Sequence, residues 1–256
     1  MPNYEVVSQD VHKNLRWNPI NDYTFAARDA LSPLVMQEAP MAALHLPIAF
    51  TKTGEHFGLF AVQGLEAGSN YLVDAAGQWL AAYIPATYRA YPFALGTSED
   101  QQQLLCIDSD SGLINSTEGY TFFDDQGAPG KQVQETLDFL SQVAANRQAT
   151  QELCLLLEEF ELLEPWLISV KKGDKEVPVA GLFRVNEAKF NTLEADALLN
   201  LRDKGALPLI FCQLISIQNL PRIMQWAKPP ASSSALPDEL AFDFIENAGN
   251  ISFDGL

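Results

Sequence analysis

The N-terminal half of the chain carries short apolar stretches separated by turn residues. Three strands are predicted there, over 44–50, 57–63 and 71–74. The stretch 71–85 (YLVDAAGQWLAAYIP) predicts a hairpin with turn residues at 74–77, and a further strand is predicted over 103–108. Residues 1–35 lack a regular pattern and predict an irregular arm. Closely spaced short strands are typical of an antiparallel sheet.

From residue 131 onward the apolar positions recur at steps of three and four, which predicts a helix with one buried face. A second helical stretch is predicted over about 150–163. A third, over 187–204, has Asn186 as its N-cap and Gly205 as its stop. The change of period therefore places most helices in the C-terminal half.

Two further stretches of the C-terminal half read as strands. Segments 166–170 and 177–185 predict a hairpin across the polar turn KKGDK, and 209–217 predicts a buried strand followed by a brief helix from Pro221. Together these elements predict an α+β fold, with an antiparallel β-sheet in the N-terminal half and a mainly helical C-terminal half. One domain is expected over 1–228.

Residues 229–256 predict a linker (PPASSSALPDE) and then a mobile tail in which large apolar residues alternate with acids, as in LAFDFI and ISFD. Such a tail is too short to build a core and needs a surface to lie on. It could add as a strand to a sheet edge of its own chain or of a partner, and homo-oligomers through the tail are one form of this. Its docking candidates are Phe242, Phe244, Ile245 and Phe253. Their expected dock is the basic turn of the second hairpin, which carries Lys171, Lys172 and Lys175.

The net charge of −17 limits the classes of partner that this chain is expected to bind. Phosphates of nucleic acids and anionic lipids would be repelled, so a protein or peptide partner is favoured over nucleic acid. The most apolar stretch, 207–217, is too short to insert into a membrane, since a span needs about 20 residues. The N-terminus lacks a basic start followed by an apolar run, and the three cysteines lie far apart. A cytoplasmic location is expected, with a surface location only through a dedicated exporter.

The sequence contains no common catalytic motif and no loop in EF-hand register. None of GxSxG, HExxH, GxGxxG or GxxxxGK[ST] occurs, so no catalytic residue and no cofactor is assigned. The acidic loop 108–118 resembles a calcium loop in composition, but Gly112 falls at its fifth position and Glu118 at its eleventh, one short of the EF-hand register in each case. A solvated turn is the favoured interpretation, and no metal site is predicted.

An aromatic cluster with one cation is the densest unusual feature, and together with one histidine it supplies the ligand-binding candidates: Trp79, Tyr83, Tyr88, Arg89, Tyr91 and His45. Stacking aromatics and a guanidinium could line a groove for a small molecule or peptide. The alternative is aromatic packing at a sheet edge, with the arginine capping or paired and the histidine a satisfied core or edge residue.

The same region carries a family resemblance. The stretch YLVDAAGQWLAAYIPATYRAYPF, and after it LCIDSDSGLI, FDDQG, LEPW, GLFRVNEAKFNTL and GALPLIFCQLISIQNLPRI, resemble stretches of the bacterial SapC family in the same order. The resemblance covers most of residues 30–226. It implies an association with the surface layer of some Gram-negative bacteria, for which the family is named, and it brings no catalytic residues.

Three functions follow from these features. A non-catalytic adaptor that binds a protein or peptide partner is the favoured hypothesis. The alternatives are a structural component associated with the surface layer, and an accessory enzyme or small-molecule binder that uses the aromatic cluster 79–93.

Overall fold

The computed structural model describes residues 2–98, 100, 102–172, 175–227 and 251–252. Its strands are β1 (Tyr4–Val6), β2 (Arg16–Trp17), β3 (Leu31–Pro33), β4 (Ile48–Thr53), β5 (His56–Val62), β6 (Phe93–Thr97), β7 (Gln103–Asp108), β8 (Ile114–Asn115), β9 (Tyr120–Thr121), β10 (Leu163–Pro165), β11 (Ile168–Lys172), β12 (Lys175–Val179), β13 (Phe183–Val185) and β14 (Ile251–Ser252). Its helices are α1 (Gln9–His12), α2 (Ala39–Ala43), α3 (Ala86–Arg89), α4 (Lys131–Glu159), α5 (Glu187–Asn191), α6 (Ala195–Asp203), α7 (Ala206–Ser216) and α8 (Leu220–Met224). The fold is α+β, with antiparallel sheets in the N-terminal half and helices in the C-terminal half.

The first of two compact units comprises residues 1–21, 87–145 and 247–256. Its larger sheet has the strand order β1-β7-β6-β14, in which β14 runs parallel to β6 and the other pairs are antiparallel. A small sheet, β8-β2-β9, lies in the same unit. Its core consists of Trp17, Phe93, Ile107, Phe122 and Val133.

The second unit comprises residues 22–86 and 146–246. Its sheet has the order β10-β13-β4-β5-β3 and is antiparallel throughout. The hairpin β11-β12 belongs to this unit, and its pairing of Ile168 with Val179 confirms the hairpin predicted from the sequence. The large buried side chains of the unit include Phe50, Leu157 and Ile210, which belong to one hydrophobic cluster.

Helix α7 is fastened to the sheet of the second unit by polar side chains. The Gln213 side chain accepts a hydrogen bond from the Val185 N–H at 3.0 Å and donates to the Ile48 carbonyl at 3.1 Å. The Ser216 hydroxyl accepts from the Ile48 N–H at 2.9 Å. Both side chains are fully buried. They satisfy backbone groups of β4 and β13 that would otherwise lack partners inside the protein.

The prediction of a buried strand over 209–217 is wrong, because this stretch is part of α7. Short apolar runs of this length do not distinguish strand from helix by periodicity. The buried positions of the helix, Leu209, Ile210, Gln213 and Ser216, are spaced as one helical face. Pro208 falls in the first turn of the helix, where it is tolerated.

Other element boundaries also differ from the predictions. The hairpin over 71–85 is reduced to a single bridge between Val73 and Trp79, because the chain beyond it is held by side-chain hydrogen bonds described below. The two helices predicted from 131 and over 150–163 are one helix, α4, since no glycine or proline interrupts them. The prediction of an irregular arm over 1–35 is wrong in part, because β1, β2 and β3 all pair with other strands.

The third predicted helix, over 187–204, is present but broken. It consists of α5 and α6, and Glu194 begins the second piece in an extended conformation. Its two end signals are confirmed. The Asn186 side chain accepts a hydrogen bond from the Lys189 N–H, and Gly205 adopts a left-handed φ of 77°.

Candidate functional site

The six ligand-binding candidates fall into different units. His45, Trp79 and Tyr83 belong to the second unit, whereas Tyr88, Arg89 and Tyr91 belong to the first.

In the second unit, Tyr83 is held by a buried carboxylate. Its hydroxyl donates a hydrogen bond to Glu38 Oε1 at 2.6 Å, and the Ala86 N–H donates to the same oxygen at 2.7 Å. The Val35 N–H donates to Glu38 Oε2 at 3.1 Å. Glu38 is only 7% exposed. This carboxylate thus accepts three hydrogen bonds and anchors the segment before α3.

A cation on α4 faces the same carboxylate. Burial lowers the pKa of Arg147, and the negative charge of Glu38 opposes that shift. On the same helix, the Thr150 hydroxyl accepts a hydrogen bond from the Met36 N–H at 2.7 Å. The turn that carries Glu38 is therefore fastened to α4 at two points. Sequence reasoning missed this arrangement, because a single glutamate and a single arginine 109 positions apart form no recognisable motif.

Trp79 is likewise part of the local scaffold. Its indole N–H donates to the Tyr83 carbonyl at 2.9 Å, and its ring lies 5.6 Å from that of Tyr23. The Tyr23 N–H donates in turn to the Gly77 carbonyl at 2.7 Å. These contacts hold the loop between residues 74 and 83 against the start of the unit. They account for the aromatic character of the stretch through packing.

In the first unit, the candidates also have structural contacts. Tyr88 is only 3% exposed. The Arg89 guanidinium lies over the Phe139 ring, 5.0 Å from its centroid. The Tyr91 hydroxyl donates to Asp108 Oδ2 at 3.1 Å. The arrangement favours packing and hydrogen bonding within the protein as the role of these side chains.

Asp108 begins the acidic loop 108–118, which resembles a calcium loop in composition. Its Oδ1 accepts hydrogen bonds from the Asn3 N–H at 2.9 Å and from the Asp110 N–H at 3.2 Å. Burial raises the pKa of Tyr4 to about 12, and the charge of Asp108 adds to the effect. Asp108 therefore acts as the cap of the short helical turn after β7. Among the described residues, no group of His, Cys, Asp or Glu side chains is placed to hold a metal ion.

His45 follows α2 and differs from the other candidates. Its Nδ1 atom is buried and has no hydrogen-bond partner among the described residues. Its backbone N–H donates to the Ala42 carbonyl at 2.9 Å. The side chain as a whole is partly exposed, between the exposed Leu44 and the buried Leu46.

The docking candidates of the tail can be placed only in part. Lys171 and Lys175 are exposed on the hairpin β11-β12, and the side chain of Lys172 lies outside the described residues. The same is true of Phe242, Phe244, Ile245 and Phe253. The described residues of the tail, Ile251 and Ser252, form β14 and pair with Gly96 and Thr97 of β6. The docking of the tail on the lysines therefore stays a prediction.

A second surface feature was missed by sequence reasoning. Helices α2 and α7 are in contact, and four large apolar side chains on these helices or directly after α2 are exposed. Met41 is 53% exposed, Leu44 59%, Phe211 49% and Ile215 61%. These four residues define the α2–α7 face. Interpreting 209–217 as a buried strand concealed the α7 part of this face, because a buried strand would have placed Phe211 and Ile215 inside the core.

The ends of the two helices are joined beside this face. The Asn219 side chain, just after α7, donates to the Ala43 carbonyl at 2.7 Å and to the Leu46 carbonyl at 3.3 Å. Helix α8 begins at the next residue and ends at Met224, which is 40% exposed. Met224 is therefore a further exposed apolar side chain of the second unit, near the end of its described residues.

The sequence around the α2–α7 face is almost free of charge. Within residues 39–51 and 205–227, the only lysine, arginine, aspartate or glutamate is Arg222, although such residues make up 19% of the chain. Depletion of charge together with exposed Met and Phe side chains is characteristic of the centres of protein interfaces. The arrangement is suited to binding an apolar surface of a partner.

The comparisons with known proteins agree with the resemblance seen in the sequence. No helix in the described part of the chain combines the length and the apolar character needed to cross a bilayer. No curated protein and no solved structure matches the chain. A sequence model of the family described as SapC matches residues 7–223, which is most of the chain. The chain belongs to the SapC family.

Proposed function

We propose that this chain is a non-catalytic interaction protein that binds an apolar, acid-flanked segment of a protein partner on the α2–α7 face. The observation that carries the proposal is the exposure of four large apolar side chains on two adjoining helices in a stretch almost free of charge. Isolated exposed apolar residues are normal, but a cluster of them marks an interaction site.

The chemistry of the partner follows from the face and from the charge of the chain. Apolar side chains of the partner would fill the space around Phe211 and Ile215. Arg222 is the single cation of the stretches 39–51 and 205–227, so these stretches favour a carboxylate over a cation as the charged group of the partner. The overall charge of −17 disfavours nucleic acid and anionic lipid as partners.

The aromatic cluster supports this choice over a small-molecule binder. The hydroxyls of Tyr83 and Tyr91 donate to Glu38 and Asp108, and Tyr88 is buried. Side chains that are buried or hydrogen-bonded in this way support the structure of their own unit. A groove that binds a ligand needs polar groups that point at the ligand.

The compartment that fits this role is the cytoplasm. Cys106, Cys154 and Cys212 are all free thiols, and burial raises the pKa of the first to about 11 and of the second to about 12. Free buried thiols are typical of proteins in a reducing compartment. The alternative implied by the family name, a component associated with the surface layer, requires recovery of the protein in the envelope fraction after cell fractionation. Recovery in the cytosol alone would exclude it.

The test compares partner capture by two variants of the full chain. Phe211→Ser combined with Ile215→Ser removes the centre of the α2–α7 face. Leu167→Ser serves as the matched control, because Leu167 is 92% exposed and lies beside the hairpin β11-β12. Affinity purification from the native cell, with quantitative mass spectrometry, should show one or more proteins lost with the double variant and kept with the control.

The interaction should then be measured with the purified partner. Loss of central aromatic and aliphatic anchors weakens an interface by about 2 kcal/mol or more, which is roughly 30-fold in the dissociation constant. Thermal melts of both variants must match the native chain, so that lost capture reports binding. If the double variant keeps every partner that the control keeps, the proposal is wrong.

A further inference from the structure

The second unit has an open strand edge that the proposed function does not use. Within the described residues, the sheets of this unit have four edge strands: β3, β10, β11 and β12. The strand β11 pairs with β12 on one side, and no other described strand pairs with it. We infer that the outer edge of β11 binds an extended segment of a partner protein as an added strand, and that this segment alternates apolar and acidic residues.

The first support is that prolines block two of the other edges. An unpaired edge is a template for unwanted pairing, and a proline there removes an outward N–H group. The N–H groups of Leu34 and Trp166 donate inward, at 2.9 and 2.8 Å, to carbonyls of β5 and of the residue before β13. Neighbouring residues of a strand direct their backbone groups to opposite sides. Pro33 of β3 and Pro165 of β10 therefore face outward.

Pro178 blocks the outer edge of β12 in the same way. It pairs with Ser169 of β11, and because proline has no N–H, these two residues cannot exchange two hydrogen bonds. The hydrogen-bonded pairs are therefore those on either side, such as Val170 with Val177. Pro178 consequently faces the outer edge of β12, and Ser169 faces the outer edge of β11.

The outer edge of β11 offers unpaired backbone groups. Ser169 and Lys171 direct their N–H and carbonyl groups to this side, and among the described residues none of these groups has a partner there. Both residues are exposed. Val170 between them is buried in the hydrophobic cluster of the second unit, which fixes the strand in position. Because β11 contains no proline, a partner strand meets a continuous row of donors and acceptors.

The two faces of β11 indicate the side chains of the partner strand. Ile168 and Val170 pack in the hydrophobic cluster, whereas Ser169 and Lys171 are exposed. Side chains of an added strand alternate between the same two faces, so apolar residues are expected beside the first pair and acidic residues beside Lys171. β11 contains two lysines and no acid in a chain of net charge −17. Glu176 of β12 lies opposite Lys171, so the preference for acids is expected to be moderate.

The test uses the purified full chain and the synthetic peptide acetyl-TVEVEVT-amide, in which apolar and acidic residues alternate as the faces of β11 require. Binding is measured by titration calorimetry. NMR then measures amide hydrogen exchange of Ser169 and Lys171 with and without the peptide. Both amides should exchange rapidly in the free chain and about tenfold more slowly with the peptide bound.

Modified peptides test backbone pairing without any change to the protein. An added strand uses only one of its two edges, so its inward N–H groups belong to alternate residues. One peptide is N-methylated at both glutamates and another at two valines. One of these peptides should lose binding and the other should keep it. The analogue acetyl-TVKVKVT-amide, with lysines in place of the glutamates, should bind about threefold to fivefold more weakly.

Variants of β11 locate the peptide on the protein. Ser169→Pro removes an outward N–H from the edge and should weaken binding about tenfold, whereas Ser169→Ala keeps this group and serves as the matched control. Lys171→Glu should reverse the preference between the glutamate and lysine peptides. Thermal melts of the variants are compared with that of the native chain, so that lost binding is not confused with unfolding.

Several results would overturn the inference. Slow exchange of Ser169 and Lys171 in the free chain would show that the chain itself covers this edge. Absence of binding at about 1 mM peptide would also reject it, since backbone pairing with matched side chains would then add too little affinity. Loss of binding with both N-methylated peptides, or with neither, would exclude pairing through one peptide edge. Equal affinity for the glutamate and lysine peptides would contradict the acidic character of the partner.

The α2–α7 face is tested separately with the same peptide. Phe211→Ser combined with Ile215→Ser should leave its binding unchanged, because neither residue belongs to β11. If this double variant loses the peptide while Ser169→Pro keeps it, the peptide binds the α2–α7 face and the inference about β11 is wrong. Loss of the peptide with Ser169→Pro alone would support the β11 edge, whatever the outcome for the proposed function.

Discussion

Glu38 provides the most demanding test of the second unit. The variant Glu38→Ala removes the carboxylate that accepts hydrogen bonds from Tyr83, Ala86 and Val35, and it leaves Arg147 without that negative charge. Removing one member of a buried ion pair costs about 3–5 kcal/mol of unfolding free energy. Because the side chain of Arg147 is only partly buried, we expect the lower end, about 3 kcal/mol.

Two conservative variants divide this cost into its parts. Tyr83→Phe removes one hydrogen bond to a charged acceptor and should cost about 1.5–3 kcal/mol. Glu38→Gln keeps an oxygen acceptor but loses the charge, so its cost should fall between those of Tyr83→Phe and Glu38→Ala. In an Arg147→Met background, Glu38→Gln should cost less than it does alone, since the cation that the carboxylate faces is gone.

The assay is urea unfolding followed by tryptophan fluorescence. Trp79, Trp166 and Trp226 all belong to the second unit, so the signal reports mainly on that unit. Glu176→Ala, at an exposed position of the hairpin, is the control and should stay within about 0.5 kcal/mol of the native chain. A cost below about 1 kcal/mol for Glu38→Ala, or a cost for Glu38→Ala smaller than that for Tyr83→Phe, would refute the assigned role of the carboxylate.

Three further predictions concern single positions. Burial, with a smaller contribution from the carboxylate of Glu158, raises the pKa of Cys154 from 9.0 to about 12. As the pH rises, the thiol therefore loses its proton in the unfolded chain before it does so in the folded chain. The free energy of unfolding should fall as the pH rises from 9 toward 12. Cys154→Val should flatten that fall in urea midpoints measured at pH 8 and 10.5, and an unchanged slope would contradict it. A Cβ at Gly64 would overlap the Ser69 carbonyl oxygen, so Gly64→Ala should cost about 3 kcal/mol in thermal melts. Gly68 faces open space at a φ of +71°, so Gly68→Ala should cost only about 1 kcal/mol, and equal losses would count against the packing at Gly64. Asn186→Ala should cost about 1 kcal/mol through the lost helix cap and Asn186→Asp much less; similar losses for both would show that the side-chain oxygen is not the stabilising group.

The sequence was informative where a local interaction determines the structure. Asn186 caps α5 and Gly205 takes a left-handed conformation, as predicted, because caps and stops depend on residues within a few positions. The hairpin β11-β12 and the strand β7 were also predicted, because their signals too lie within a few neighbouring residues. The fold class needed no more than the order of such elements.

Long-range contacts explain the failures. The stretch 209–217 is a helix because its polar residues Gln213 and Ser216 meet strand backbone more than 160 positions away at Ile48, and no local pattern encodes that partner. The hairpin predicted over 71–85 does not form in full, because the Tyr83 hydroxyl donates a hydrogen bond to Glu38. Glu38 lies 45 positions away in the sequence, so no local pattern indicates this contact either. Within the candidate site, the aromatic residues were found by composition, but their contacts were not.

The α2–α7 face was hidden for a related reason. A run of apolar residues predicts burial, and Leu209 and Ile210 are indeed buried. Once the run is a helix, its residues divide between an inner and an outer side, and Phe211 and Ile215 fall on the outer side. The scarcity of charge in 39–51 and 205–227 was the one signal in the sequence that could have revealed the face.

The hydrogen bonds of Gln213 and Ser216 limit the rotation of α7. A helix held only by apolar packing could roll about its axis to hide exposed phenylalanine and isoleucine side chains, at little cost to contacts that lack direction. Here a roll would break directional bonds to the Val185 N–H and to both backbone groups of Ile48, and it would leave those groups buried without partners. Phe211 and Ile215 are therefore locked in an outward orientation, so a binding partner meets a preorganised surface and does not have to turn the helix toward itself.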